Sequence, residues 1–262
     1  MPRLQIVGRV FFALGFIGLG VTHFIFREFT TGRAPPWPVS MSGGAVWAYF
    51  SGAAFILVGL ALLTGRKVRI AAISAGIVVL VWALLRQLPI VAADTILGPT
   101  WTHAGKALTF IGALFAIAGA SPPAGSGGPT WVKRFMNLRD PFITLGRICL
   151  AIFLMITGIQ HFIYTEFVAS LIPNWFPGNA VIWTQFAGVA LISGSVGLVI
   201  PRTARLAALL SGIMVFSWFW IVHIPRSLGG VSDRIAVYEA LAVSGIALMI
   251  AGYLYRQRVG SG

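Results

Sequence analysis

The sequence predicts an all-α membrane protein: eight transmembrane helices in two tandem four-helix bundles, related by a pseudo-twofold along the membrane normal. Three observations carry that prediction. The chain is 58% hydrophobic and 10% charged, with a mean hydropathy of +0.89. That is more apolar surface than a domain in water can bury, so lipid must be its solvent. Apolar runs near the length of about 20 residues that crosses a bilayer recur eight times. Finally, the heptad HFIFREF at 23–29 returns as HFIYTEF at 161–167, five of seven residues identical at an offset of 138.

The repeat extends well beyond the heptad. The same offset aligns Gly8-Arg9 with Gly146-Arg147, Gly20 with Gly158, and Pro35 and Trp37 with Pro173 and Trp175. After a slip of two residues it pairs Trp47 with Trp183, Gly52 with Gly188, Arg66 and Arg69 with Arg202 and Arg205, Trp82 with Trp218 and Pro89 with Pro225. After a further slip of three it pairs Gly112 and Gly119 with Gly245 and Gly252. Slips confined to loops between helices are the mark of a duplicated structural unit.

The first span, 10–26, follows a short basic segment and could pass for a signal peptide. It is too long for one, no small-residue cleavage site follows, and its twin lies mid-chain, so it is expected to be a retained helix. The other spans are expected at 46–63, 68–92, 102–120, 144–164, 181–200, 204–225 and 235–255. Units at 1–120 and 144–258 flank a linker at 121–143, whose PPAGSGGP and basic WVKRFMNLRD show no core-forming pattern and read as a flexible connector. Short loops within each unit force antiparallel neighbours, and the glycines suit close helix contacts in lipid.

Eight spans place both termini and the linker on one side. That side holds thirteen basic residues against Asp140 alone, whereas the other holds six basic and five acidic residues. The positive-inside rule then puts both ends in the cytoplasm, in the cell membrane, and accounts for most of the net charge of +13. Nucleic acid is excluded as a partner, and the lipid bilayer takes its place. The single cysteine, Cys149, excludes an internal disulfide and the paired-thiol chemistry of quinone-linked thiol oxidases.

Chemistry-bearing residues concentrate at the outer ends of the helices. All four histidines, His23, His103, His161 and His223, lie there, with every tryptophan except Trp131. An aromatic belt at headgroup level accounts for Trp37, Trp101 and Trp175. Trp82 and Trp218 precede their helix ends by about two turns and are candidates for packing deeper in the bundle. The second unit could gather His161, His223 and Glu239; the equivalent positions in the first are His23, Gln87 and Lys106, with Arg86 beside Gln87. Ionisable groups inside a span are costly and default to functional candidates. Glu28 and Glu166 read instead as markers of the helix end. No phosphate loop, HExxH, GxSxG or cysteine cluster occurs.

A four-helix unit with GxxHF closing its first helix resembles the DoxX-like membrane proteins. The other features of that resemblance are a Pro-Trp-rich loop at 172–177, Trp183 opening the second helix, Arg202-x-x-Arg205 before the third and His223-x-Pro225 closing it. The likeness is better in the second half, since Gln87 stands where His223 would. Family members are single units, some of them small membrane subunits of thiosulfate:quinone oxidoreductase and others tied to redox assemblies. The resemblance therefore implies a redox-associated subunit with a quinone pocket at the outer end of the bundle. Trp218, Trp183 and Trp82 would offer packing surface, and His161, His223, Glu239, His23 and Arg86 polar contacts. Electrons would have to come from a redox partner subunit or cofactor. Two other readings stay open: His161 and His223 as axial haem ligands, or with Glu239 as a metal site; and a scaffold or small-solute transporter with no catalytic role. Oligomeric state is not legible.

Overall fold

A computed structural model describes residues 2–29, 42–123 and 129–260, with side chains as far as 255. It contains eight helices long and apolar enough to cross a membrane and no strand among the described residues. The first unit comprises α1 (Pro2–Phe26), α2 (Gly44–Thr64), α3 (Val68–Trp82) and α5 (Pro99–Ala120), with α3 continuing through a π-helical turn (Ala83–Gln87) into α4 (Leu88–Ala93). The second repeats the scheme with α7 (Asp140–Ile163), α9 (Ala180–Val199), α10 (Ala204–Trp218) and α12 (Val231–Gly260). Here α10 continues through a π-helical turn (Phe219–His223) into α11 (Ile224–Arg226). Between the units lies α6 (Thr130–Met136), and within the second the short α8 (Thr165–Ala169) follows α7.

The helices overrun the apolar stretches by a few residues because a helix runs on until a cap or proline stops it. Pro99 and Pro141 sit in the first turns of α5 and α7, where the missing N–H costs nothing, so the helix that carries the span expected from 144 begins at Asp140. The basic half of the linker is not patternless, as the sequence suggested. Residues 130–136 form α6, preceded by Pro129, and Asn137 Nδ2 donates to Lys133 O at 2.9 Å. The rest of the glycine-rich segment, at 124–128, lies outside the described residues, as do Pro35 and Trp37.

Each quartet keeps its chain order, with neighbours antiparallel, yet the first and fourth helices of one quartet do not close on each other. Helix α1 packs most heavily on α12, and α7 on α5, so the quartets close on one another and the eight helices form a ring. The equivalent glycines explain this closure. A Cβ on Gly8 would collide with Gly245 O and the Met249 backbone. One on Gly146 would lie 2.7 Å from Gly112 O. Gly8 and Gly146 are repeat equivalents, as are Gly245 and Gly112, so one contact is built twice. Without side chains in the way, the helix backbones approach closely, which is how helices associate where lipid removes the hydrophobic drive.

The fourth helices, α5 and α12, are the most buried of the spans and touch each other at the centre. The remaining helices expose one apolar face, with Phe50, Leu57, Val78, Leu85, Ile182 and Leu210 among the outward side chains. Those faces meet the lipid bilayer, which hydrocarbon side chains tolerate because the backbone polar groups are satisfied inside the helices.

Candidate functional site

At the end opposite the termini, α1 stops at Phe26 and α7 at Ile163, and His23 and His161 project from their last turns. Each imidazole Nδ1–H donates to the carbonyl four residues back, Leu19 O for His23 and Thr157 O for His161, both at 2.7 Å. A carbonyl oxygen only accepts, so the proton sits on Nδ1 and Nε2 carries its lone pair away from the parent helix. Glycine on the neighbouring helix makes the seat. A Cβ at Gly52 would lie 2.9 Å from His23 Cβ, and one at Gly188 3.0 Å from His161 Cβ.

The two seats are then furnished differently. His23 is fully buried, with its ring edge-on to Phe29 at 6.1 Å and Phe55 at 5.5 Å, and Phe29 in turn stacks on Trp82 at 4.9 Å. Deeper in the same quartet Phe12, Phe16, Phe55 and Phe110 pack ring against ring. Their equivalents in the second quartet are Leu150, Leu154, Leu191 and Val243, all buried but aliphatic. Phe167, the counterpart of Phe29, points outward and is 66% exposed. With both phenyl rings gone, His161 is half-buried and lies directly on Trp218, ring centroids 6.0 Å apart and planes 23° from parallel. The first quartet is thus filled by aromatic rings, and the second keeps an imidazole and an indole face to face.

The π-helical turns fall at equivalent places. Leu88 N–H reaches back five residues to Ala83 O, and Ile224 N–H to Phe219 O. Pro89 and Pro225 supply the cause, since each lacks an N–H and its ring crowds the carbonyl four residues earlier. The turns present Gln87, which is buried, and His223, which is half-buried. The charged neighbours of His223 are Lys106, Glu239, Arg226 and Asp233. Lys106 Nζ and Glu239 Oε2 form an ion pair, with side chains 14% and 3% exposed. Arg226 and Asp233 pair at 3.1 Å nearer the helix ends.

The trio anticipated from sequence is therefore divided. His161 lies with Trp218, and His223 with Glu239 and Lys106. Among the described residues no group of three His, Cys, Asp or Glu side chains is placed to hold a metal ion, His161, His223 and Glu239 included. Trp82 and Trp218 are both half-buried, Trp82 stacked on Phe29 and Trp218 against the core beside His161. Arg86 lies over the Trp82 ring at 5.9 Å. Trp183 is exposed and closes its own loop, its indole N–H donating to Pro177 O at 2.8 Å while its ring meets Phe176. Trp101 likewise ties a loop, to Asp94 O at 3.2 Å. Glu28 is exposed just past the end of α1, and Glu166, also exposed, lies in α8 just past the end of α7.

The contacts of three residues escaped sequence reasoning. Gln160 donates to Leu97 O at 3.1 Å and Gly98 O at 2.8 Å and accepts from the Thr102 hydroxyl at 2.6 Å, fastening α7 beside His161 to the loop entering α5. Its adjacency to a repeated His was the only signal. Lys106 was visible as a lone cation in an apolar helix, but its partner was not. Arg69, at the termini end, is buried and donates to Leu138 O at 2.9 Å and Ser121 O at 3.4 Å, where α5 leaves unpaired carbonyls.

Chemically, the second quartet offers a proton acceptor at His161 Nε2 and a flat aromatic surface at Trp218, while a separate buried charge pair beside His223 is shared with the first quartet through Lys106. Residues 150–252 match the family model described as a domain of unknown function, DUF8561. No curated protein and no solved structure matches the chain. The matched segment begins in α7 and ends in α12, so it lies wholly within the second quartet, the one that carries the His161–Trp218 pair.

Proposed function

We propose that this membrane protein is a redox-associated, quinone-interacting subunit of the DoxX-like type, with its working site in the second quartet. The observation that carries the reading is the direct His161–Trp218 stack where the first quartet has phenylalanine. A planar ring can lie against the indole, and His161 Nε2, an acceptor while Nδ1–H is held by Thr157 O, suits the hydroxyl of a quinol better than a quinone carbonyl. His161 would accept one of the two quinol protons, the other would leave to water at the outer end of the bundle, and a redox partner subunit would take the two electrons. The two quartets would be related by a pseudo-twofold along the membrane normal, with termini in the cytoplasm as the thirteen-to-six division of basic residues favours.

The reading is tested by titrating purified protein with a short-chain quinol. Saturable binding that weakens at least tenfold in His161→Ala, with His23→Ala unaffected, supports it; no saturable binding overturns it. A second reading, a solute transporter whose halves rock about a central site, draws on the Lys106–Glu239 pair, which joins the two halves inside the membrane. Solute uptake into proteoliposomes that fails in Glu239→Gln would favour it instead.

A further inference from the structure

Helix α6 is the one described helix between the quartets, and its sequence, TWVKRFM, puts two aromatic and two basic residues into seven positions. Trp131 is 73% exposed and Phe135, one turn on, is 38% exposed. Phe135 also meets Phe142 edge-on at 5.5 Å, and Phe142 packs on Phe115 at 5.0 Å, so the helix is tied to the ends of α7 and α5. Arg69 holds the following turn through Leu138 O. These ties set α6 where the spans begin and end, at the level of lipid headgroups. Lys133 and Arg134 lie on α6 itself, Arg66, Lys67 and Arg139 lie in segments at the same end of the spans, and the acid on this side, Asp140, accepts a hydrogen bond from the Tyr253 hydroxyl at 3.1 Å.

We infer that α6 is a membrane-surface anchor that docks on anionic phospholipid headgroups, Trp131 entering the interface while Lys133 and Arg134 pair with phosphate. An indole is amphipathic and settles at the boundary between headgroup and acyl chain. Each cation near an anionic surface strengthens attachment about fivefold, and neither basic side chain of α6 takes part in an ion pair with a described acid. Charge and aromatic content thus favour a lipid surface over a protein partner.

The test places a polarity-sensitive fluorophore on Trp131→Cys in a Cys149→Ala background and reconstitutes the full chain into vesicles. These are phosphatidylcholine alone or phosphatidylcholine mixed with phosphatidylglycerol. The inference predicts blue-shifted emission and protection from iodide in the anionic vesicles. Both effects should weaken as salt is raised, and the docked fraction ratio should fall roughly 25-fold in Lys133→Gln/Arg134→Gln. Unchanged thermal unfolding of that variant in detergent shows that the fold is intact. Emission equally water-exposed in both lipids overturns the inference. So does protection that is the same in neutral vesicles or detergent, which would indicate a protein cover rather than anionic lipid.

Discussion

Lys106 on α5 and Glu239 on α12 occupy the same position in the two repeats, and they form one ion pair at the centre of the molecule. Equivalent residues can meet only where the two copies of a helix touch, and α5 and α12 are that pair of helices. Opposite charges there let the duplicated halves satisfy each other where identical ones would repel. Removing one partner leaves a charge in a site almost closed to water. Lys106→Met or Glu239→Leu alone should therefore cost about 3–5 kcal/mol in detergent unfolding, and the double apolar variant should recover most of it. Two independent, additive losses would show that the pair is not coupled.

The ring closure makes its own prediction. Gly146→Val drives a branched side chain against Gly112 O and Ala116, where backbone cannot yield, and should cost about 1–3 kcal/mol or more. Gly230→Ala, whose added Cβ meets nothing within 4 Å, should leave unfolding unchanged. Cysteines at Gly8 and Gly245 would disturb the contact they report on, so stability is the cleaner measurement.

Much of this was legible beforehand, and the reasons differ residue by residue. Eight spans follow from apolar run length, and the repeat follows from His23/His161 and the glycines. Trp82 and Trp218 were placed inside by counting turns from Pro89 and Pro225. Closure of α1 on α12 was not legible, because a glycine stripe says that a helix approaches and not which one. The same gap hid the Lys106–Glu239 pair, which sequence could only place in separate halves. Exchange of Phe12, Phe16, Phe55 and Phe110 for Leu150, Leu154, Leu191 and Val243 was in the alignment, but it acquires meaning only once those residues share an interior.

That exchange gives the third prediction. Leu191→Phe restores the phenyl ring that Phe55 supplies beside His23. It should reduce quinol binding at least tenfold while costing about 1–3 kcal/mol of stability for overpacking. Phe55→Leu, the reverse change in the first quartet, should leave quinol binding intact and destabilise by cavity formation. Equal effects of the two on binding would count against assigning the site to the second quartet.

The imidazole geometry is checked by nitrogen-15 NMR of labelled protein. His161 should show a protonated Nδ1 and an unprotonated Nε2 in the neutral ring, since Thr157 O at 2.7 Å can only accept. The opposite tautomer would remove the acceptor on which the proposed proton transfer depends.

The most direct test is photolabelling with an azido-quinol kept reduced in native membranes, followed by peptide mapping. Label is expected on the peptides that carry His161 and Trp218, displaced by excess quinol and absent from their counterparts around His23 and Trp82. Label spread over lipid-facing residues such as Leu57 and Leu210, and undiminished by competitor, would contradict it.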